Sequence, residues 1–100
     1  MRIVARTNLI AFAKRHPETG PALRRWESVI KAAKWTSLSD AGHSFSGCKV
    51  LNHERIRFEI AGGNYRLIAA FDLPRGIAFV KFIGTHAQYD RVDALVVSLY

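Results

Sequence analysis

Two runs of alternating residues separated by a glycine pair constrain most strongly what this chain can fold into. Polar and apolar residues alternate one by one through Arg55–Ile60, Gly62-Gly63 follows, and Tyr65–Phe71 forms a second extended run. A period of two is typical of a strand with one buried face, and a glycine pair between two such runs indicates a hairpin turn. A second turn at Leu73–Gly76 leads into Ile77–Ile83. We therefore expect a three-stranded antiparallel meander.

Helical patterns precede the meander. Apolar spacing predicts one helix that begins after Thr7 as its N-cap and ends at His16, because the residue before Pro17 avoids helical geometry. A second helix is expected from about Pro21 to Trp35, with an apolar stripe on one face. Its Trp26 lies on that stripe, which favours core packing over base stacking.

The remaining segments complete the predicted fold. Arg2–Ala5 is expected to be a short opening strand, residues 36–48 a long connection, and the segment from about Gln88 onward a helix with Val92, Leu95, Val96 and Leu99 as its stripe. The predicted fold class is α+β. We expect one domain over residues 1–100, an antiparallel β-sheet with two N-terminal helices on one face, and a short C-terminal helix.

The hairpin registers predict which side chains share a face. A two-residue turn at Gly62-Gly63 sets Glu59 opposite Arg66, and a four-residue turn at Leu73–Gly76 sets Ile68 opposite Lys81 and Arg66 opposite Ile83. One face then carries Arg55, Arg57, Glu59, Arg66, Ile68 and Lys81. The opposite, apolar face carries Ile56, Phe58, Ile60, Tyr65, Leu67, Phe71, Val80 and Phe82.

The charged face has two interpretations. One face of an antiparallel sheet is commonly solvated, and Glu59 opposite Arg66 is then an ordinary cross-strand pair worth about 0.2–1 kcal/mol. However, Lys and Arg total 15 against 8 Asp and Glu, a formal net charge of +7 that favours polyanionic partners. Like charges held close together repel unless an anion lies among them, so a phosphate group is the natural ligand.

His86 and Tyr89 follow the third predicted strand directly. A lone histidine is more often structural than catalytic, but histidine is also the side chain best suited to proton transfer near neutral pH. The other histidines show no metal-ligand spacing with one another or with Cys48, and Cys48 is expected to be an inert thiol. We therefore expect no metal site and no cofactor.

Location is indicated by what the sequence lacks. A single cysteine forms no intrachain disulfide, and the uncharged runs are far shorter than the ~20 apolar residues that cross a bilayer. Met1–Arg6 is interrupted by charge too early for a signal peptide. A cytoplasmic protein without a membrane partner is expected.

The segments Arg55–Ile60, Gly63–Ile68 and Phe79–Asp90 resemble the HigB-type mRNA interferase toxins, a branch of the RelE/ParE superfamily. The similarity extends over most of the chain, and Gly84–Asp90 is its most specific part. This resemblance implies a RelE-like fold and the toxin role of a type II toxin–antitoxin system. It further implies a metal-independent endoribonuclease that cleaves translated mRNA at the ribosome, and neutralisation by a helix-turn-helix antitoxin of the HigA type.

The same resemblance implies roles for individual side chains. Arg66 and Lys81 would stabilise the phosphate, His86 would be the acid or base, and Tyr89 would complete the catalytic set. Arg55, which also matches the family's pattern, would bind an RNA phosphate. Arg57 and Lys49 are expected to bind RNA phosphates because of their charge, independently of the resemblance. At positions 57 and 59 relatives usually have an aliphatic residue and an asparagine, so Glu59 is either a general base or, as we favour, the residue that orients Arg66.

Two other functions remain open from the sequence. A ParE-like toxin would bind a protein target such as DNA gyrase, without nuclease chemistry, and would tolerate loss of His86. A non-catalytic RNA-binding module would need the terminal helices and the basic loop of a double-stranded RNA domain, a layout that this sequence does not show.

Overall fold

The chain folds into a five-stranded sheet with the two N-terminal helices packed on one face, in a computed structural model that describes all of residues 1–100. The strands are β1 (Arg2–Val4), β2 (Cys48–Val50), β3 (Arg55–Ile60), β4 (Tyr65–Asp72) and β5 (Ile77–Thr85). The helices are α1 (Arg6–Arg15), α2 (Gly20–Ala32) and α3 (His86–Tyr89), with short 3₁₀ helices at Pro17–Thr19 and Leu38–His43. The α+β class and the meander β3-β4-β5 are confirmed.

The sheet is mixed, so the prediction of a purely antiparallel sheet is wrong in one respect. Its order is β1-β5-β4-β3-β2, and the edge strand β1 runs parallel to β5 with Ile3 paired to Ala78. The crossover through α1 and α2 returns the chain to the same sheet, and nothing in a three-residue strand specifies its direction. The strand β2 was not predicted: it begins at Cys48, the last residue of the expected connection, and Cys48–Val50 is too short to show a period.

The core lies between the sheet and the two N-terminal helices. Leu9 and Phe12 of α1 and Trp26 and Ile30 of α2 are at most 3 % exposed, and they pack against the apolar face of the meander. Burying a side chain of this size contributes about 1.5–3 kcal/mol. The prediction that Trp26 packs in the core is confirmed. These contacts fix the helices on one face and leave the other face of the sheet free of them.

The helix α2 ends three residues earlier than its apolar stripe predicts. Ala33 is extended, with ψ of 140°, and ends the helix at Ala32. The chain then places the ring of Trp35 on Phe71, with centroids 5.4 Å apart. Trp35 therefore covers the end of the core as part of a loop. At α1 the helix begins at Arg6, after Ala5 in the left-handed region (φ 70°), so Thr7 is not its N-cap.

A β-bulge in β5 corrects the predicted faces. Glu59 pairs with Arg66 and Asp72 with Ile77 as expected, but the β4-β5 register shifts between Ile68 and Ala69. Lys81 is the extra residue, so Ile68 pairs with Phe82, and Arg66 pairs with Gly84 rather than with Ile83. Beyond the bulge the two faces are exchanged.

Phe82 therefore leaves the apolar face, and Ile83 joins the core in its place. We call the face opposite the helices the polar face. It carries Lys49, Arg55, Arg57, Glu59, Arg66, Ile68, Lys81 and Phe82.

The segment 91–100 is not the continuous helix that its apolar spacing predicts. Only His86–Tyr89 is helical, and turns and irregular backbone follow. Asp93 accepts a hydrogen bond from the amide of Leu95 at 3.0 Å, which competes with helical pairing. Arg55, exposed to only 6 %, donates to the carbonyl oxygens of Ala94 and Val97. The segment thus crosses one end of the polar face and is held there by Arg55.

Candidate functional site

Arg66 lies at the centre of the candidate site, where β3, β4 and β5 meet α3. Its side chain is buried against the polar face and donates to the carbonyl oxygen of Gly63 at the β3-β4 turn. Its Nη2 lies 3.7 Å from Glu59, and its guanidinium lies over the ring of Tyr89, 6.0 Å from the centroid. Three neighbours thus hold one cation, while its Nε has no hydrogen-bond partner.

Glu59 borders the same site from β3. Its pairing with Arg66 follows the predicted register, and the 3.7 Å separation is an ion pair rather than a hydrogen bond. The amide of Glu59 donates to Gly47 at 2.7 Å, and a Cβ at Gly47 would lie 2.6 Å from the Glu59 carboxylate. Glycine at position 47 therefore allows the loop before β2 to approach this side chain closely.

The helix α3 is short, but its N-terminal end is held by hydrogen bonds at the N-cap Thr85 and at His86. Thr85 and Gln88 form a reciprocal capping box, in which the Thr85 hydroxyl accepts from the Gln88 amide at 3.1 Å and the Gln88 side chain accepts from the Thr85 amide at 2.9 Å. The amide of His86 donates to the carbonyl oxygen of Asn64 at 2.9 Å, which ties α3 to the β3-β4 turn. The spacing of Thr85 and Gln88 in the sequence is typical of this cap.

Tyr89 and Phe82 connect α3 to the sheet. Their rings pack edge to face with centroids 6.2 Å apart, and Tyr89 is the aromatic ring beside Arg66. The bulge at Lys81 makes this contact possible, because it turns Phe82 toward the polar face. Gly84, opposite Arg66, has no room for a side chain, since a Cβ there would lie 2.6 Å from Phe82.

His86 is exposed beside this group and pairs with an acid that sequence reasoning missed. Its Nδ1 lies 3.0 Å from the carboxylate of Asp90, one turn further along the chain. The four-residue separation of a histidine and an aspartate was the available signal. A carboxylate at Nδ1 fixes the ring orientation and leaves Nε2 as the nitrogen that can exchange a proton with a ligand.

The other predicted site residues divide into two groups. Lys49 pairs with Arg57 across β2 and β3, and Arg57 lies diagonally from Arg66 with its own Nε buried and without a partner. These two cations extend the polar face around Arg66. In contrast, Arg55 binds carbonyl oxygens of the segment 91–100, and Lys81 lies over Phe79, with its ammonium 5.5 Å from the centroid. Neither occupies a position of the sheet that is paired with or diagonal to Arg66.

Other polar groups have local structural explanations. Burial raises the pKa of the Cys48 thiol, as expected for an unreactive cysteine. A hydrogen bond from Tyr65 lowers the pKa of Glu18, and the same bond raises the pKa of Tyr65. No three side chains of the metal-ligating types come together, and no helix is long and apolar enough to cross a membrane.

The comparisons with known proteins identify the family. No curated protein matches the chain. The family model HigB_toxin, described as the RelE-like toxic component of a toxin-antitoxin system, matches residues 19–92. This range includes the whole meander, α3 and every side chain of the candidate site. The chain belongs to the HigB_toxin family of RelE-like toxins.

Proposed function

We propose that this toxin is an endoribonuclease that cleaves mRNA through acid–base chemistry of its own side chains. The observation that carries the proposal is the state of two arginines. The Nε groups of Arg57 and Arg66 are buried, lie on diagonal positions of the polar face and have no hydrogen-bond partner. Buried donors without a partner are costly, and phosphate oxygens are acceptors well suited to arginine donors.

The proposed reaction is an internal transesterification. The ribose 2′-hydroxyl oxygen bonds to the adjacent phosphorus, its proton passes to a base, and the bond from phosphorus to the 5′-oxygen breaks as an acid protonates that oxygen. The products are a 2′,3′-cyclic phosphate and a free 5′-hydroxyl. Electrostatic stabilisation of the extra negative charge is commonly the largest contribution to such a reaction, and Arg66 is suited to supply it.

His86 is the proposed proton-transfer residue. It is exposed, so a ligand can reach Nε2, and Asp90 orients the ring through Nδ1. Tyr89 supports the Arg66 guanidinium from beneath through its ring. Glu59 is assigned to orienting Arg66, with the role of general base as the alternative.

The remaining cations have proposed roles in phosphate binding, and two of them require a change in the described arrangement. Lys49 and Arg57 bind flanking phosphates. Lys81 remains a proposed phosphate-stabilising residue that would act only after a rearrangement toward Arg66. In the described arrangement Arg55 holds the segment 91–100, so its proposed phosphate contact requires that segment to move.

Membership of a toxin–antitoxin family implies an antitoxin partner. We propose that this partner is a helix-turn-helix protein of the HigA type, that the substrate is mRNA under translation at the ribosome, and that the chain acts in the cytoplasm. The net charge of +7 supports a polyanionic target, because it favours association with RNA.

Induction of the chain in growing cells tests the proposal. Primer extension across abundant transcripts should reveal new 5′ ends within minutes of induction, and these ends should be absent with Arg66→Ala. Arrested growth with intact transcripts would contradict nuclease activity and would favour a ParE-like toxin that binds a protein target.

A further inference from the structure

A polar groove adjoins the candidate site on the far side of Glu59. It has a cavity volume of about 410 Å³ and lies between α2, the loop 42–47 and β3. Its lining includes Arg25, His43, Ser44, Phe45, Ser46 and Glu59. Cavities of a few hundred cubic ångströms are typical of sites for small molecules. Glu59 therefore both lines this groove and forms the ion pair with Arg66.

The floor of the groove is held in place by contacts around Arg25. Its Nη2 donates to the carbonyl oxygen of Ser44 at 2.8 Å, and its guanidinium lies over the Phe45 ring, 5.2 Å from the centroid. Phe45 in turn packs edge to face on the buried Phe58, with centroids 5.0 Å apart. The Arg25 guanidinium therefore lies over a ring that packs on the core, and its outer face is a surface on which a flat heterocycle can stack.

The rim of the groove supplies hydrogen-bonding groups. Ser44 and Ser46 contribute hydroxyls, His43 contributes an exposed ring, and Glu59 contributes a carboxylate whose only ionic partner is at 3.7 Å. A carboxylate accepts hydrogen bonds and cannot donate them. It therefore favours a base that presents an amino group over uracil, whose one ring donor, N3–H, lies between two carbonyl oxygens that repel a carboxylate.

The loop is also fixed against the candidate site. Asp40 accepts from the amides of Thr36 and Ser37, at 2.9 and 3.3 Å, and caps the 3₁₀ helix that leads into it. At its other end Gly47 accepts from the amide of Glu59. The groove and the Arg66 site therefore share one wall, and that wall belongs to the sheet.

We propose that this groove binds the nucleobase next to the phosphate held by Arg66, and that it prefers bases with an exocyclic amino group, adenine, cytosine or guanine, over uracil. The inference rests on the proposed nuclease function, because it takes Arg66 as the phosphate site. The base stacks on the Arg25 guanidinium, and its amino group donates to Glu59. The groove thus contributes to the sequence preference of cleavage.

Titration of the ¹⁵N-labelled chain with the four nucleoside 3′-monophosphates tests the inference without cleavage. We expect 3′-AMP, 3′-CMP and 3′-GMP to shift the amide signals of Ser44, Ser46 and Arg66. We expect 3′-UMP to bind about tenfold more weakly, since it cannot donate an amino group to the carboxylate. Equal binding and equal shifts for all four would overturn the proposed preference.

Two variants locate the binding in the groove. Ser46→Trp fills it from an exposed position, and Arg25→Ala removes the stacking surface. Both should abolish the preference while the Arg66 amide still shifts. The matched controls Ser28→Trp and Arg24→Ala, at exposed positions of α2 outside the groove, should retain it. An unchanged preference in Ser46→Trp or Arg25→Ala would overturn the inference.

Adenosine without a phosphate separates this inference from the nuclease proposal. Shifts at Ser44 and Ser46 with adenosine, but none at Arg66 with any nucleotide, would support the groove and contradict the phosphate site. Shifts at Arg66 without shifts in the loop 42–47 would support the phosphate site and overturn the groove. No shift at either place would overturn both.

Discussion

At the scale of single residues, the proposed activity depends on a buried arginine whose neighbours hold it in place without neutralising its charge fully. Arg66 has one carboxylate at 3.7 Å, one carbonyl oxygen and one aromatic ring around it. A closer carboxylate would pair with the guanidinium and compete with a phosphate. The long Glu59 contact therefore keeps the cation available, and it is consistent with an orienting role for Glu59.

Replacement of Arg66 tests this directly. Arg66→Ala should reduce RNA cleavage by about 10²–10³-fold, the usual loss when one group that stabilises transition-state charge is removed. Arg66→Lys should recover part of the rate, since it keeps the charge without the planar fork. The control is Arg75→Ala, which changes the same charge at a turn residue whose side chain is 79 % exposed. Equal rates in Arg66→Ala and Arg75→Ala would contradict the role of Arg66.

His86 carries the second prediction at this scale. His86→Ala should lower the cleavage rate by about 10²–10⁴-fold and remove one limb of the pH–rate profile, as expected when a general acid or base is lost. Asp90→Asn should lower the rate less, because the ring remains but its orientation by Asp90 is weakened. His53→Ala, at an exposed loop position, is the control and should leave the profile unchanged. If the pH–rate profile of His86→Ala were unchanged, a residue other than His86 would carry out the proton transfer.

At the scale of elements, short loops and one irregular strand determine which side chains meet. The β5 bulge brings Phe82 to Tyr89 and thereby joins α3 to the Arg66 site. The close approach at Gly47 brings the loop 42–47 to Glu59. Neither the bulge nor the close approach at Gly47 follows from a periodic pattern of apolar residues, because both depend on local packing.

The two glycines of the loop 42–47 provide a matched comparison. Gly47→Ala should destabilise the protein by about 1 kcal/mol, as in mildly overpacked sites, because its Cβ would lie 3.0 Å from the Glu59 Cβ, whereas the Glu59 carboxylate at 2.6 Å is the end of a flexible side chain. Gly42→Ala meets nothing within 4 Å and should be nearly neutral. Urea unfolding of both variants measures the difference. A stability of Gly47→Ala equal to that of Gly42→Ala would mean that the loop moves away without cost.

Arg55 carries the prediction for the segment 91–100. Arg55→Ala should lower the free energy of unfolding by about 2 kcal/mol, since it removes a buried charged donor from two carbonyl oxygens. The hydrogen exchange of the Leu99 amide, which donates to Lys81 at 3.0 Å, should accelerate in the same variant. Arg55→Met keeps volume without donors and should show the same acceleration. Unchanged exchange in both variants would show that Arg55 does not hold this segment.

The sequence predicted the parts of this fold that follow a period and missed the parts that depend on single contacts. The alternation in Arg55–Ile60 and the glycine pair correctly predicted the Glu59–Arg66 pairing and the polar face. The bulge at Lys81 was missed, although adjacent apolar residues at Phe82 and Ile83 break the alternation there. The length of the last helix was overpredicted, because contacts with Arg55 hold the segment in another shape.

At the scale of the whole molecule, the two faces of the sheet divide folding from the proposed function. The helices α1 and α2 bury the apolar face, and the polar face carries Lys49, Arg57, Glu59 and Arg66. Because the core lies on the apolar face, the polar face can carry several cations without disturbing the packing that stabilises the fold. The net charge of +7 adds a long-range attraction for RNA.

Salt dependence measures how much of this charge contacts RNA. The logarithm of the binding constant for a single-stranded RNA oligonucleotide should fall linearly with the logarithm of the salt concentration. Each phosphate contact that is lost should reduce the magnitude of this slope by about 0.7. Lys49→Ala and Arg57→Ala should each show this reduction. Lys34→Ala, at an exposed position after α2, should keep the slope of the unaltered chain. Equal slopes in all three variants would place the RNA on another surface.

The most direct test of the central claim is the end chemistry of RNA after incubation with the purified chain during translation in vitro. We expect mRNA fragments that end in 2′,3′-cyclic phosphate and begin with 5′-hydroxyl, and we expect them to be lost with Arg66→Ala. Full-length mRNA in the presence of the active toxin would contradict this claim.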